Sequence, residues 1–195
     1  MPRVLVATTN PDKVREIRAI LGDAYDLMTL GDVPPVTAPE ETGRTFAENA
    51  RLKARYYATA TGLMTLAEDS GLEVDALGGA PGVESARYGG ENACYEQKFK
   101  MLYDALAAAG SADRSARFVC AVAIADGDVI VAESRGTIEG EVAPEPRGEG
   151  GFGYDPIFYC PPFGCTLAEA GLRKHEVSHR AAAMTCIRAF LDRRD

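Results

Sequence analysis

The chain has 195 residues, 46% hydrophobic and 26% charged, which is enough apolar material for one packed domain and excludes a wholly disordered chain. Lysines and arginines number 21 against 29 aspartates and glutamates, and the resulting net charge of −8 argues against docking on a nucleic-acid backbone. The longest apolar run, 118–125, is far too short for a membrane span, and no secretory signal is expected. The five cysteines, Cys94, Cys120, Cys160, Cys165 and Cys186, form no C-x-x-C pair and read as free thiols of a cytoplasmic protein.

In chain order, Arg3 to Ala7 reads as a short buried strand and Asp12 to Leu21 as a helix with Val14, Ile17 and Leu21 on one face. The proline-rich, acidic stretch from Gly31 to Gly43 reads as a loop. Thr45 and Glu48 have the spacing of a capping box and predict a helix to about Thr61, stopped by Gly62. Leu63 to Ala67 is a second strand running into Glu68-Asp69-Ser70-Gly71, and Gly78 to Gly90 is a glycine-rich loop. Tyr95 to Ala109 has Phe99, Leu102, Tyr103 and Leu106 at helical core spacing. Arg117 to Ala125 and Val129 to Glu133 are strands joined through the hairpin signal Asp126-Gly127, and Thr137 to Val142 extends the sheet. A loop from Pro144 to Gly153, a short strand from Pro156 to Tyr159 and a last helix from Ser178 to Arg193 complete the chain. Interspersed helices and strands with one hairpin predict an α/β class with a mixed sheet.

Four groups of residues are chemically suggestive. Thr8-Thr9-Asn10-Pro11-Asp12-Lys13 is a strand–turn–helix junction whose free N–H groups, hydroxyls and ammonium suit an anion, although the same residues also make an ordinary capped helix. It lacks the spacing of a P-loop. Glu68-Asp69-Ser70 follows a buried strand, where a carboxylate can hold a hard metal ion or take a proton from water; with Glu40-Glu41 it makes a second acidic source. The loop Gly148 to Pro156 contains G-x-G-x-x-G, but no buried strand precedes it and Pro156 stands where a helix should begin. It reads better as a loop presenting Phe152 to a ligand ring, or as a tight turn with Phe152 in the core. His175-Glu176-Val177-Ser178-His179 matches the zinc-protease pattern H-E-x-x-H, yet these are the only histidines and Ser178 is a natural helix cap that would break the pattern's geometry. Alternatively Ser178-His179-Arg180 opens the last helix and offers donors to a ligand, with a buried structural pair as the plain reading.

Together, in this order, the segments ATTNPDKVREI (7–17), EETGRTFAENARLKA (40–54), EDSGLEVDALGGAPGVESARYGG (68–90), GEGGFGYDPIF (148–158) and SHRAAA (178–183) resemble the inosine triphosphate pyrophosphatase family. The resemblance covers nearly the whole chain. It implies a single two-lobed domain, 1–195, with an elongated twisted mixed sheet and a central substrate cleft. It implies hydrolysis of non-canonical purine nucleoside triphosphates (ITP, dITP, XTP, dXTP) to the monophosphate and pyrophosphate, with Mg²⁺ as cofactor, in a cytoplasmic homodimer. Asp69 is then the catalytic carboxylate and a metal ligand, with Glu40, or Glu41 if the alignment slips by one, as the second. Thr8, Thr9, Asn10, Lys13 and Lys53 would hold phosphate, Ser70 would touch substrate, and Phe152, Gly153, Tyr154, Asp155, Lys174, His179 and Arg180 would form the base site. Thr9 stands where a glycine is common in the family, and Glu84 departs from it before Ser85. A house-cleaning pyrophosphatase for other modified nucleotides and a non-hydrolysing nucleotide-binding protein are the competing expectations.

Overall fold

The computed structural model describes residues 3–90, 92–171, 173 and 178–194. Among them are strands β1 (Arg3–Val6), β2 (Asp26–Thr29), β3 (Thr65–Val74), β4 (Ser115–Asp126), β5 (Val129–Val142), β6 (Phe158–Cys160) and β7 (Cys165–Thr166). The helices are α1 (Pro11–Leu21), α2 (Phe46–Thr61), α3 (Tyr95–Ala109), α4 (Leu167–Ala170) and α5 (His179–Leu191). The strands make one sheet in the order β2-β1-β3-β4-β5-β6-β7. β1 runs parallel to β2 and to β3, with Leu5 beside Thr65 and Val6 beside Leu66, whereas β5–β6 and β6–β7 are antiparallel. The mixed α/β class read from the sequence is therefore the observed one.

The chain divides into two compact units, one made of Met1–Ser70, Cys120–Thr137 and His179–Asp195, the other of Gly71–Val119 and Ile138–Ser178. In the first, α1 contributes Ile17 and Leu21 and α5 contributes Ala183, Met184, Ile187 and Leu191 to a core shared with Val4, Val6, Leu66, Val122 and Ile124. In the second, Phe99, Leu102 and Leu106 of α3 pack with Leu72, Val74, Phe118 and Phe158. No described helix is long and apolar enough to cross a membrane.

The helices follow their local signals. Asn10 accepts the N–H groups of Asp12 and Lys13 and Pro11 occupies the first turn of α1. Thr45 caps α2 by accepting from the Glu48 N–H, and the Glu48 carboxylate reaches back to the N–H of Arg44. α3 has the boundaries its apolar spacing predicts, and β4 turns into β5 where Asp126-Gly127 signals a hairpin.

The strands depart further from expectation. β3 does not end at Ala67 but continues to Val74, so Glu68, Asp69 and Ser70 lie within a strand rather than beyond one. The two segments read as Val129 to Glu133 and Thr137 to Val142 are one strand, continuous through Gly136. Asp155–Ile157 is a 3₁₀ turn, and the strand expected from Pro156 starts at Phe158. β2, β7 and α4 have too few residues to show a period and are absent from the sequence reading.

Candidate active site

Side chains alternate between the faces of a strand. Glu68 and Asp69, consecutive and both buried in β3, are therefore sent to different neighbours. Asp69 meets α2 and the loop before it. Glu68 meets α1 and α5.

On the first face, the Asn49 amide donates to Asp69 Oδ2 at 3.0 Å and Lys53 Nζ lies 3.3 Å from Oδ1. Asn49 and Lys53 are one helical turn apart in α2, which puts both on the same side. Lys53 also meets Glu41 at 2.7 Å, so two carboxylates converge on one ammonium. Of the two acids left open by the sequence, the structure brings in Glu41; Glu40, the favoured one, is exposed and outside this cluster. The loop is pinned here because the Gly43 N–H donates to Asn49 Oδ1 at 2.7 Å. A Cβ at Gly43 would lie 2.5 Å from that same oxygen, so only glycine permits the approach. Burial lifts the Asp69 pKa; Lys53 and Asn49 pull against it, and the net shift is upward. Lys53 shows the opposite balance. Burial works against its charge, but Asp69 and Glu41 outweigh it and raise its pKa.

Such a donor set suits a particular kind of metal. Among the described residues no three His, Cys, Asp or Glu side chains converge, which leaves no all-protein cage. Glu41 and Asp69, both drawn to the Lys53 ammonium, supply the hard oxygen donors that Mg²⁺ takes, one or two carboxylates being its common protein share while water and substrate phosphate complete the octahedron.

On the second face, Arg180 is 1% exposed and binds Glu68 through Nε at 2.7 Å and Nη2 at 3.1 Å. It also meets Glu16 and, at 3.2 Å, the Ser70 hydroxyl. Glu68 also meets Lys13 Nζ at 3.0 Å and accepts from the Cys120 thiol at 2.9 Å. Burial opposes the Glu68 charge, but Arg180 and then Lys13 more than compensate, and its pKa falls well below the usual carboxylate range. Burial first, and then Glu68, raise the Cys120 pKa well above that of an ordinary thiol. Arg180, expected to face a base carbonyl, thus directs these donors to its own chain.

The turn before α1 also differs from expectation. Pro11 has no N–H, Asp12 and Lys13 donate theirs to the Asn10 side chain, and Val14 donates to the Asn10 carbonyl. The first turn is therefore capped by its own chain, and an anion there meets helix N–H groups that are already engaged. Thr8 Oγ accepts from the Asn10 N–H at 3.2 Å, and Thr9 is exposed. No described non-glycine residue has a positive φ, so Thr9 fits where family relatives were expected to need glycine. Glu84, the other departure, pairs with Arg87 at the surface.

In the second unit, the loop 152–155 is internally braced. Asp155 accepts the Phe152 N–H at 3.0 Å. Tyr154 belongs to the core: its hydroxyl donates to the Ser85 carbonyl at 3.0 Å and its ring packs edge-on against Tyr95. Phe152 and Gly153 are partly exposed. His179 is the first residue of α5 and is half-buried. Lys174, and His175 and Glu176 of the H-E-x-x-H pattern, lie outside the described residues.

Sequence reasoning missed Glu16, Cys120, Gly43 and Gly136 as site residues. Glu16 could have been found: it lies one helical turn after Lys13 and beside the core position Ile17. Gly136 gave no such signal. It lets α5 dock on β5, because a Cβ there would collide with the His179 carbonyl and lie 2.6 Å from the Ala183 nitrogen.

Comparisons with known proteins give the chain a family. The Ham1 family model matches residues 4–190. The chain is 48% identical over 187 residues to a dITP/XTP pyrophosphatase of Thermus thermophilus, covering 95% of this chain and 89% of that one. It is 44% identical over 194 residues to the Bacillus licheniformis dITP/XTP pyrophosphatase, covering 98% and 99%. A solved HAM1 protein from Coxiella burnetii superposes with a TM-score of 0.90 at 40% identity, over 99% of this chain and 100% of that one. By sequence match over nearly its whole length and by fold, the chain belongs to the Ham1 family.

Proposed function

We propose that this chain is a dITP/XTP pyrophosphatase that hydrolyses non-canonical purine nucleoside triphosphates to the monophosphate and pyrophosphate. The observation that carries the reading is Asp69, a buried carboxylate with a raised pKa, fixed by Asn49 and Lys53 with Glu41 on the same ammonium. The family match supports it.

In this mechanism Asp69 orients a water and takes its proton as the water attacks the α-phosphorus in line. Lys13 and Lys53 hold phosphate oxygens and offset the negative charge that an acidic protein would otherwise repel. Thr8, Thr9 and Asn10 contribute hydroxyl and amide donors at the same anion. Glu41 and Asp69 would hold Mg²⁺, which supplies Lewis-acid stabilisation of the leaving pyrophosphate. Ser70 touches substrate through the edge it shares with Arg180. On the family resemblance, base selection falls to His179, Lys174 and the Phe152 loop. A donor paired with a 6-oxo group is left unpaired against adenine's amino group, at a cost of about 1–3 kcal/mol. On the family resemblance, the enzyme works as a homodimer on the cytoplasmic nucleotide pool.

The deciding experiment incubates the protein with dITP and Mg²⁺ beside dATP and dGTP. Release of dIMP and pyrophosphate, with little from the controls and none under excess chelator, is expected. Orthophosphate as the product would overturn the α-phosphorus mechanism, and equal turnover of dATP would overturn the base selection.

A further inference from the structure

We propose that Glu68 is a positioning residue that aims the Lys13 ammonium at the triphosphate, with Arg180, Glu16 and Cys120 holding Glu68 in place. The proposal rests on the hydrolase reading above but concerns a residue that reading leaves without a role.

Lysine carries its charge on a flexible four-carbon stem with three rotatable donors. Left alone, such a group visits many positions, and each phosphate contact must first arrest it. Lys13 is instead tethered at 3.0 Å to Glu68, while its side chain remains 17% exposed. One N–H is committed inward and further donors remain for an anion. The tether is only as good as its anchor. Glu68 itself is 2% exposed and receives four donors: Nε and Nη2 of Arg180, Lys13 Nζ and the Cys120 thiol. That number fills the roughly four lone-pair sites of a carboxylate, so the group has no freedom to turn. Arg180 is fixed in turn by Glu16 and Ser70.

Charge makes the same point. Glu16 and Glu68 balance Arg180 and Lys13, two against two. Without Arg180, a buried Glu68 would neutralise Lys13 and weaken its pull on phosphate. Sharing Glu68 with Arg180 allows Lys13 to be both anchored and attractive. The capped start of α1 gives this placement its importance, since the backbone donors that often cradle phosphate are engaged with Asn10.

The test measures binding of inorganic tripolyphosphate with Mg²⁺ by calorimetry, which needs neither a base nor turnover. The full-length wild type, Glu68→Gln, Lys13→Ala and the double variant are compared. Losing a charge-assisted anchor should weaken binding by about 10-fold to 100-fold in Glu68→Gln, and Lys13→Ala should lose a similar amount. The double variant should bind no more weakly than Lys13→Ala, because Glu68 acts through Lys13. Wild-type affinity in Glu68→Gln, or losses that multiply in the double variant, would overturn the proposal. If Glu68→Gln does not give a cooperative thermal melt, Glu68→Asp replaces it. That variant keeps the charge but draws the carboxylate back by one methylene, and it should show the same non-multiplying loss. Failure of wild type to hydrolyse dITP while the tripolyphosphate pattern holds would sink the functional reading and leave the positioning role standing.

Discussion

Glu68 and Asp69 are adjacent carboxylates in one strand, both buried, and differ by a single methylene. Their surroundings make them opposites. Glu68 meets a guanidinium, an ammonium and a thiol, and its pKa falls. Asp69 meets one ammonium that it shares with Glu41, plus a neutral amide, and its pKa rises. The lesson is that burial alone does not decide what an acid does. A buried carboxylate with ample donors is a strut. One with barely enough has its proton affinity lifted toward the range that the proposed general base requires.

The sharpest way to break this contrast is Glu68→Gln. Removing one charge from a buried, paired network should cost about 3–5 kcal/mol of stability, read as a drop in melting temperature. Its pH dependence follows from the depressed pKa. The Glu68 contribution is complete above the ordinary value of 4.5 and is lost as pH falls through the lower folded value. The gap in melting temperature between wild type and Glu68→Gln should therefore be full at neutral pH and close only on strong acidification. Asp69 has the reverse sign. Its raised pKa means that ionisation costs stability once the pH exceeds the ordinary 3.8 and rises through the folded value. Asp69→Asn should thus melt no lower than wild type at neutral pH, yet lose about 10²-fold or more in kcat. A large loss of stability in Asp69→Asn, with activity retained, would erase the distinction between the two acids.

A smaller pair of effects sharpens the same comparison through the glycines on either side. Gly136→Ala pushes against backbone of α5, and overpacking of this kind costs about 1–3 kcal/mol. Gly43→Ala pushes against the Asn49 side chain and amide nitrogen, so its loss should appear mainly in dITP turnover, with a lesser effect on melting.

The parts of this arrangement differ in how legible they are from sequence. α1, α2 and α3 can be read because caps and apolar spacing are local: Asn10, Thr45 and Gly62 lie beside the helices they delimit. β3 reads as ending at Ala67 because Glu68-Asp69-Ser70-Gly71 has the composition of a turn. The partners that offset the burial of those acids within the strand, Lys13, Lys53 and Arg180, lie up to 112 residues away. The same distance hides the Arg180 role. A guanidinium near a helix start reads either as a donor for ligand or as half of a buried pair, and only its carboxylates separate the two. The proposed catalytic cluster is more accessible, since Asn49 and Lys53 share a helical face and the family resemblance names Asp69. The choice between Glu40 and Glu41 is not, because a loop has no period from which to infer which of two neighbours faces inward.

The alternation of β3 has an evolutionary corollary. Strut and proposed base are assigned by parity, odd or even position along the strand, and the register is fixed where Leu5 and Val6 lie beside Thr65 and Leu66. One residue inserted between Leu66 and Glu68 would exchange the two acids, sending the strut toward Lys53 and the base toward Arg180. Every side chain would still be present and the composition nearly unchanged, but neither acid would have the neighbours that define it. On the proposed mechanism, length is therefore a catalytic property of this segment, and indels here should be purged far more strictly than in the irregular stretch of 33–43.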